Sequence, residues 1–285
     1  MINKPILITS AKNTWCPGCG NFAILNSAKA VLGSLMEEGV PKENIVILSG
    51  IGCHAKISDY LDFNSFYSLH GRAVPVAEAI KTANPKLKVI VFAGDGDSYG
   101  EGLEHLIFAA KRNIDITVVI HTNRVYALTV GQYSPVSPFG FKGRSTAQGT
   151  VEPPMNPLSI MLASGASHIA RGYSMKMDLL KKTLREAIAH KGFSIVDVLQ
   201  VCVSFFNRYE EYNKRVYELK DHNAQDYNDA LVKIREWDYN SEDSPIALGT
   251  FYKQERPAFE EMILKPNIVS VNRDAKIKEI LNNSI

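Results

Sequence analysis

Short apolar runs recur along the first two-thirds of the chain and predict five β-strands. They cover residues 44–49, 65–69, 88–93, 115–121 and 193–201. The runs are almost continuously apolar, without the alternation of a half-exposed strand. This pattern is typical of parallel strands that are buried on both faces of a sheet.

Helical periodicity fills the gaps between these runs. It predicts helices over residues 22–37, 72–84, 102–112 and 175–190. In the third of them, Leu103, Leu106, Ile107 and Ala110 share one face. Because strands and helices alternate, we expect an α/β fold with a doubly wound, mostly parallel sheet.

Two segments depart from this alternation. Residues 133–157 contain five prolines, and a long irregular segment inside a domain is usually a functional lid or a partner-binding loop. After about Phe205 the chain becomes polar, which predicts exposed helices over 207–237 and a tail over 265–285. We therefore expect a main domain over residues 1–205. We expect residues 206–285 to form a helical C-terminal arm that packs on that domain or on a partner subunit.

Composition and charge narrow the functional classes. The chain has 285 residues, of which 45% are hydrophobic, so it is not a disordered chain. A net charge of +2 argues against a nucleic-acid groove or a polybasic membrane patch. No apolar run approaches the roughly 18 residues of a membrane span, and residues 1–13 lack the pattern of an export signal. We expect a cytoplasmic protein whose cysteines are reduced.

The four cysteines are the first candidate chemistry. Cys16 and Cys19 form a Cys-x-x-Cys loop, whose spacing fits a zinc half-site, a redox dithiol or a pair of iron–sulfur ligands. Cys53 follows the first predicted strand and Cys202 ends the last one. If these strands are parallel, both cysteines emerge at the same sheet edge and all four thiolates can converge. The alternative for Cys202 is a small core residue.

A second candidate is the sequence Gly94-Asp95-Gly96-Asp97, which follows a predicted strand. Its glycines permit close approach of a phosphate, and Asn123 follows the next strand. Oxygen ligands from Asp95 and Asn123 suit Mg²⁺; the alternative is a turn residue and a strand-end cap. A helix N-terminus carries only about half a positive charge, and no Lys or Arg lies between Gly94 and Ala110. A bound diphosphate would therefore need a divalent cation.

Five motifs in order carry a family resemblance: WCPGCG, SGIGC, HGRAVPVAEAIKTANP, GDGDSYGEGLEHL and NRVYALTVGQYSP. Together they resemble the beta subunits of the 2-oxoacid:ferredoxin oxidoreductases, over roughly residues 10–205. The resemblance implies a sheet of the thiamine-diphosphate-binding type. It implies CoA-dependent oxidative decarboxylation of a 2-oxoacid, such as 2-oxoglutarate or pyruvate, to acyl-CoA and CO₂. Electrons would pass through a 4Fe–4S cluster to ferredoxin, and the reverse reaction would be a carboxylation.

The resemblance also implies roles for individual residues. The cluster ligands would be Cys16, Cys19, Cys53 and Cys202. Mg²⁺ would be bound by Asp95, Asn123 and the backbone carbonyl of Val125. The residues expected to contact thiamine diphosphate are Ile51, Gly52, Cys53, His54, His70, Gly71, Arg72, Ala73, Gly96, Asp97, Ala127 and Leu128.

The expected partners are an alpha or alpha–gamma subunit, ferredoxin, the 2-oxoacid and coenzyme A. The resemblance implies that the Glu which activates the cofactor lies on the alpha subunit, so no catalytic residue is expected here and this chain alone should be inactive. Relatives carry Lys, Gly or Thr at the position of Val130, which leaves the choice of 2-oxoacid open.

Two other readings of the residues remain. One is a non-catalytic α/β module with a structural Cys₄ zinc site, which would be colourless where an iron–sulfur protein is brown. The other is a thiamine-dependent decarboxylase without redox chemistry, which would have no use for four cysteines.

Overall fold

The centre of the molecule is an eight-stranded sheet, seen in a computed structural model that describes residues 7–263 and 272–283. Its strands, in chain order, are β1 (Ile45–Ser49), β2 (Asn64–Tyr67), β3 (Lys88–Gly94), β4 (Thr117–Thr122), β7 (His168–Tyr173), β8 (Ser194–Leu199), β9 (Val216–Glu218) and β10 (Ile246–Lys253). A separate hairpin pairs β5 (Val125–Tyr126) with β6 (Gln132–Tyr133).

The order across the sheet is β2-β1-β3-β4-β8-β7-β10-β9. The first six strands are parallel to one another, β10 runs antiparallel to β7, and β9 pairs in parallel with β10. The predicted mostly parallel α/β sheet is confirmed.

Helices cover both faces of this sheet. They are α1 (Asn21–Glu37), α2 (Ile57–Tyr60), α3 (Ala73–Ala83), α4 (Leu103–Arg112), α5 (Pro157–Ala163), α6 (Met177–Ala189), α7 (Tyr209–Arg215), α8 (Tyr227–Arg235), α9 (Phe259–Ile263) and α10 (Arg273–Asn282). The core on one face contains Leu32 of α1 and Leu184 of α6, and the core on the other contains Leu106 of α4. Within the described ranges, no helix has the length and apolar character needed to cross a bilayer.

The predicted helices form where the periodicity placed them. In α4, Leu106 and Ala110 are buried on the predicted face, and the helix ends at Asn113, whose φ of 56° is left-handed. Asn tolerates this conformation better than most residues, which makes it a common helix terminator.

Strands β7 and β10 were missed by the sequence analysis. In β7, His168 and Arg171 interrupt the apolar pattern although all six residues are buried. The edge strand β2 differs in the opposite way, because all four of its residues are exposed. The expectation that every strand is a buried run is therefore wrong for β2, since an edge strand has a neighbour on one side only.

The C-terminal part contains helices, as expected, but it also adds β9 and β10 to the sheet. Its helices are not simply exposed: Tyr212, Ile234 and Trp237 are buried in the main core. The charged residues of 207–237 had predicted exposed helices, but aromatic residues such as Tyr212 and Trp237 bury one face of this segment. The domain division at residue 205 stays a prediction. The predicted tail lies partly outside the described residues, which include α10.

The chain order of the strands creates a crevice at one sheet edge. From β1 the chain passes to β2 on one side, whereas from β3 it passes to β4 on the other. Connections that leave neighbouring parallel strands in opposite directions open a crevice at their carboxyl ends, where ligands of α/β sheets bind. The loops that follow β1, β3, β4 and β8 meet at this edge.

Candidate functional site

A polar cleft occupies this crevice. Its lining consists of Ile51, Gly52, Cys53, His54, His70, Gly94, Asp95, Gly96, Asp97, Asn123, Val125, Tyr126, Ala127, Leu128 and Thr129. Most of the expected cofactor and Mg²⁺ residues are thus brought together by loops that are far apart in the sequence. Their roles stay predictions.

Three expected cofactor residues do not line the cleft. The amide of Gly71 donates to Asp97 Oδ1 at 2.7 Å, and Ala73 is buried at the start of α3. Arg72 points to α4 instead, where its guanidinium contacts His105 and lies 3.5 Å from Glu104.

Asp97 connects several of the loops that line the cleft. Its Oδ1 accepts from the amides of Gly71 and Ile51, at 2.7 and 3.3 Å. His54 Nε2 lies 3.5 Å from its Oδ2. Burial opposes the charged form, but these contacts outweigh burial and hold the pKa of Asp97 below its ordinary value. A Cβ at Gly50 would lie 1.9 Å from Asp97 Oδ2, so only glycine fits there.

Asp95 has fewer charged and hydrogen-bonding neighbours than Asp97, the other carboxylate of the cleft. It is 1% exposed, and its Oδ2 accepts from the Ser134 hydroxyl at 2.5 Å. Burial raises the pKa of Asp95 to about 7, and the nearby charge of Asp197 adds to the effect, against the hydrogen bonds from Ser134 and the local backbone. A buried carboxylate in this state favours a cation beside it.

The turn after β4 presents Asn123 and Val125 to the same cleft. Asn123 Oδ1 accepts from the Val125 amide at 3.0 Å, while its Nδ2 donates to Gln200 Oε1 at 3.0 Å. Between them, Arg124 has a left-handed φ of 66° and is buried. Its guanidinium donates to the carbonyl of Val136 at 2.8 Å and to that of Tyr239. The buried Arg124 side chain therefore fixes the conformation of this turn, while Asn123 faces the cleft.

The charge balance of the cleft fits a cation together with an anionic ligand. The lining residues include two carboxylates but neither Lys nor Arg. His54 Nε2 and His70 Nδ1 have no hydrogen-bond partner among the described residues, but they lie 3.5 and 3.7 Å from the Asp97 carboxylate. A diphosphate here would have no protein cation to balance it, so Asp95 and Asn123 with Mg²⁺ are a chemically suitable set.

All four cysteines line one adjacent cavity of about 190 Å³. None of them is in a disulfide. This cavity shares Cys53, Asn123, Ala127 and Leu128 with the polar cleft. The four cysteines thus lie around one cavity, and their role as ligands of one group stays a prediction.

Burial and the neighbouring thiols change the pKa of Cys19. Burial, followed by the neighbouring Cys202, Cys53 and Cys16, raises the pKa of Cys19 to about 11, against a backbone hydrogen bond at Asn21. Ser204 Oγ donates to Cys16 Sγ, and Gln200 Nε2 to Cys19 Sγ, both at 3.4 Å.

The described side chains do not form a site for a single metal ion. Within residues 7–263 and 272–283, no three His, Cys, Asp or Glu side chains group closely enough to hold a single metal ion. A set of four thiols suits either a four-iron cluster or a Cys₄ zinc site.

Several residues of the site were missed from the sequence. Ser134, Gln200 and Arg124 contact candidate ligands or fix the turn that carries them. Ser134 lies in the irregular segment 133–157, and the prediction that this segment is functional was the only sequence signal for it. Gln200 adjoins a predicted strand end but lies in no motif.

Comparisons with known proteins agree with this geometry. The family model described as "Thiamine pyrophosphate enzyme, C-terminal TPP binding domain" matches residues 50–198. A second family model, which describes the C-terminal part of the pyruvate ferredoxin oxidoreductase beta subunit, matches residues 202–266. The fold and the first match define the class as thiamine pyrophosphate enzymes.

Individual relatives narrow this class. The 2-oxoacid:ferredoxin oxidoreductase subunit beta of Saccharolobus solfataricus is 39% identical over 259 residues, which is 85% of this chain and 82% of that protein. The 2-oxoglutarate oxidoreductase subunit KorB of Mycobacterium tuberculosis is 42% identical over 191 residues, which is 67% of this chain and 50% of that protein.

A solved structure of 2-oxoglutarate:ferredoxin oxidoreductase from Magnetococcus marinus has 2-oxoglutarate, coenzyme A and succinyl-CoA bound. It matches with a TM-score of 0.84 at 32% identity, covering 97% of this chain and 89% of that chain. This chain belongs to the family of 2-oxoacid:ferredoxin oxidoreductase beta subunits, and is thus one subunit of an enzyme complex.

Proposed function

We propose that this beta subunit binds thiamine diphosphate, Mg²⁺ and one 4Fe–4S cluster. In its complex it converts a 2-oxoacid and coenzyme A to acyl-CoA and CO₂. One proton and two electrons are released, and the electrons reduce two ferredoxins one at a time. The reverse reaction is a reductive carboxylation. The observation that carries the proposal is the shared wall between the cysteine cavity and the polar cleft.

Different residues of this chain bind Mg²⁺ and position the loops of the cleft. Asp95, Asn123 and the Val125 carbonyl hold Mg²⁺, which balances the diphosphate. Asp97, just after β3, holds the loops after β1 and β2 by accepting hydrogen bonds from the amides of Ile51 and Gly71. When bound, thiamine diphosphate supplies an electron sink for decarboxylation.

The four cysteines hold the cluster beside this cleft. Cys53 belongs to both linings, so the cluster would be held next to the residues that would hold thiamine diphosphate, and it would supply the electron acceptor there. The hydrogen bonds from Gln200 and Ser204 to the sulfurs of Cys19 and Cys16 contribute to the reduction potential, because such bonds stabilise negative charge on sulfur.

The site is completed by a partner chain. No Glu from residues 7–263 or 272–283 lines the cleft; Asp97 is engaged by backbone amides and Asp95 is assigned to the cation. The carboxylate that activates thiamine diphosphate therefore comes from the alpha subunit. The test is to assay this chain with cofactors, with and without its co-expressed partner; full turnover by the isolated chain would refute this assignment.

The cofactor content is tested on the anaerobically purified complex. We expect a brown protein that contains iron, sulfide and thiamine diphosphate, and that reduces ferredoxin only when both a 2-oxoacid and CoA are present. Parallel assays with 2-oxoglutarate and pyruvate identify the substrate. A colourless, zinc-containing protein without thiamine would instead support the non-catalytic module. Cytoplasmic location remains a prediction.

A further inference from the structure

A second buried carboxylate, Asp197 of β8, lies near the cleft but does not line it. It is 0% exposed. Its Oδ1 accepts from the hydroxyls of Tyr99, at 3.1 Å, and Thr122. Its Oδ2 accepts from the Tyr239 hydroxyl at 2.6 Å and lies 3.5 Å from Arg171 Nε. The proposed reaction assigns no role to this carboxylate.

The two donors to Oδ1 belong to the two segments that carry the candidate Mg²⁺ ligands. Tyr99 is in the helical turn Gly96–Glu101, which directly follows Asp95. Thr122 ends β4 and directly precedes Asn123. One oxygen of Asp197 thus links the Asp95 segment to the Asn123 turn.

The other oxygen ties this link to the core. Tyr239 and Arg171 belong to neither ligand segment. Arg171 is fully buried, with its guanidinium 5.2 Å from the ring centres of Trp237 and Phe251. Asp197 Oδ2 is therefore anchored to the core by Tyr239 and Arg171, while Oδ1 contacts the two ligand segments.

We propose that Asp197 is a positioning residue for the cation site, acting through Tyr99 and Thr122. Mg²⁺ demands near-ideal octahedral geometry, so its affinity depends on how accurately Asp95 and Asn123 are spaced. This inference rests on the proposed function, because it assumes that the cation binds between these two segments.

The test removes single hydroxyl groups from this network. Tyr99→Phe, Thr122→Val and Tyr239→Phe each delete one buried hydrogen bond to Asp197. Tyr239→Phe is the control because its hydroxyl contacts Asp197 and Arg171 but neither ligand segment; it also removes the hydrogen bond that Arg171 Nη2 donates to that hydroxyl at 3.2 Å. Mn²⁺ serves as the probe: its dissociation constant is measured by electron paramagnetic resonance on the purified complex with saturating thiamine diphosphate. Thermal unfolding is followed on the same samples.

We expect Tyr99→Phe and Thr122→Val each to raise the Mn²⁺ dissociation constant about tenfold, which corresponds to the loss of about one hydrogen bond. Combining them should give less than the product of the two effects, because both act through one oxygen. Tyr239→Phe removes two hydrogen bonds, so it should lower thermal stability at least as much as either other variant, while it leaves the Mn²⁺ dissociation constant within about twofold.

Equal Mn²⁺ affinities in all variants and wild type would overturn the inference, as would equal weakening by all three variants. If one variant fails to assemble, Thr122→Ser against Thr122→Val makes the same comparison, since only valine loses the hydroxyl. Failure of the proposed function looks different: the wild-type complex would not bind Mn²⁺, or Asp95→Asn would bind it normally.

Discussion

Asp95 and Asp197 are both fully buried, yet their surroundings differ. The side chain of Asp95 has one side-chain donor, Ser134. Asp197 has three hydroxyl donors and an arginine beside it. A buried carboxylate without a counter-charge is costly, whereas one that is paired and hydrogen-bonded is tolerated. The difference indicates that Asp95 is prepared for a ligand, while Asp197 serves the protein itself.

The same contrast separates two regions. The ligand region, defined as the polar cleft and the cysteine cavity, contains four free thiols and, within the described part of the chain, histidine nitrogens that make no hydrogen bond. The network region, defined as Arg171, Asp197, Tyr99, Thr122 and Tyr239, has its charges opposed inside the core. Changes in the first should affect binding more than stability. Changes in the second should affect stability, and those at Tyr99 and Thr122, which adjoin the ligand segments, should also weaken cation binding.

The largest effect is expected at Arg171. Arg171→Met should destabilise the protein by about 5 kcal/mol, because it leaves Asp197 buried without a cation. It also removes the stacking of the guanidinium over Trp237 and Phe251. Denaturant unfolding measures the loss. The control, Lys181→Met, breaks an exposed pair with Asp178 and should cost about 0.5 kcal/mol or less. Similar losses in both variants would show that the network does not stabilise the fold.

Asp95→Asn should show the opposite division of effects. Loss of a partner of a metal ligand weakens metal binding about 10- to 100-fold, so loss of Asp95 itself should weaken Mg²⁺-dependent thiamine diphosphate binding about 10³-fold. The unliganded protein should be no less stable, because Asn keeps an oxygen for Ser134 and removes a buried charge. Titration calorimetry and thermal unfolding measure the two effects. Asp62→Asn, which alters an exposed pair with Lys42, is the control; a stability loss without weaker binding would contradict the assignment.

His168 extends the comparison to a buried polar group away from the cleft. Neither ring nitrogen has a hydrogen-bond partner among the residues that the structure describes. Burial, then His190 and Lys253, lower the pKa of His168 from 6.5 to about 3. Its folded-state pKa is below its unfolded value, so stability is full above pH 6.5 and is lost as the pH falls toward 3. The contribution lost between pH 7 and pH 5 is about 2 kcal/mol.

The measurement is denaturant unfolding at both pH values. His168→Leu should flatten the acid slope, leaving the part that comes from other histidines. An unchanged slope in the variant would assign the pH dependence elsewhere.

The smallest effect is expected at Val130, on the loop between β5 and β6 beside the cleft. Its φ of 74° is left-handed, which is unfavourable for a β-branched residue. Val130→Gly should therefore stabilise the protein by about 1 kcal/mol. Val151→Gly, at an exposed position outside the left-handed region, should give no gain. Equal effects on the unfolding free energy would show that the Val130 backbone is not strained.

The sequence predicted most of the site-bearing fold. Buried parallel strands leave long apolar runs, so β1, β3, β4 and β8 were found with small errors at their ends. Strands β7 and β10 were missed for different reasons. The polar His168 and Arg171 of β7 are buried by distant partners, and β10 follows a segment whose charges concealed its buried aromatic residues.

The sequence alone determined the candidate ligands, the alternating strands and helices that carry them, and the family resemblance, because local patterns and motifs encode these. The tertiary structure decided that all four cysteines share a cavity with part of the cleft wall, that Arg72 turns away, and which buried carboxylate remains short of partners. Those outcomes depend on contacts such as Tyr99 with Asp197 and Ser134 with Asp95, which join residues far apart in the chain. Such contacts leave no periodic signal, since each is made by a single side chain that only the complete fold brings into reach.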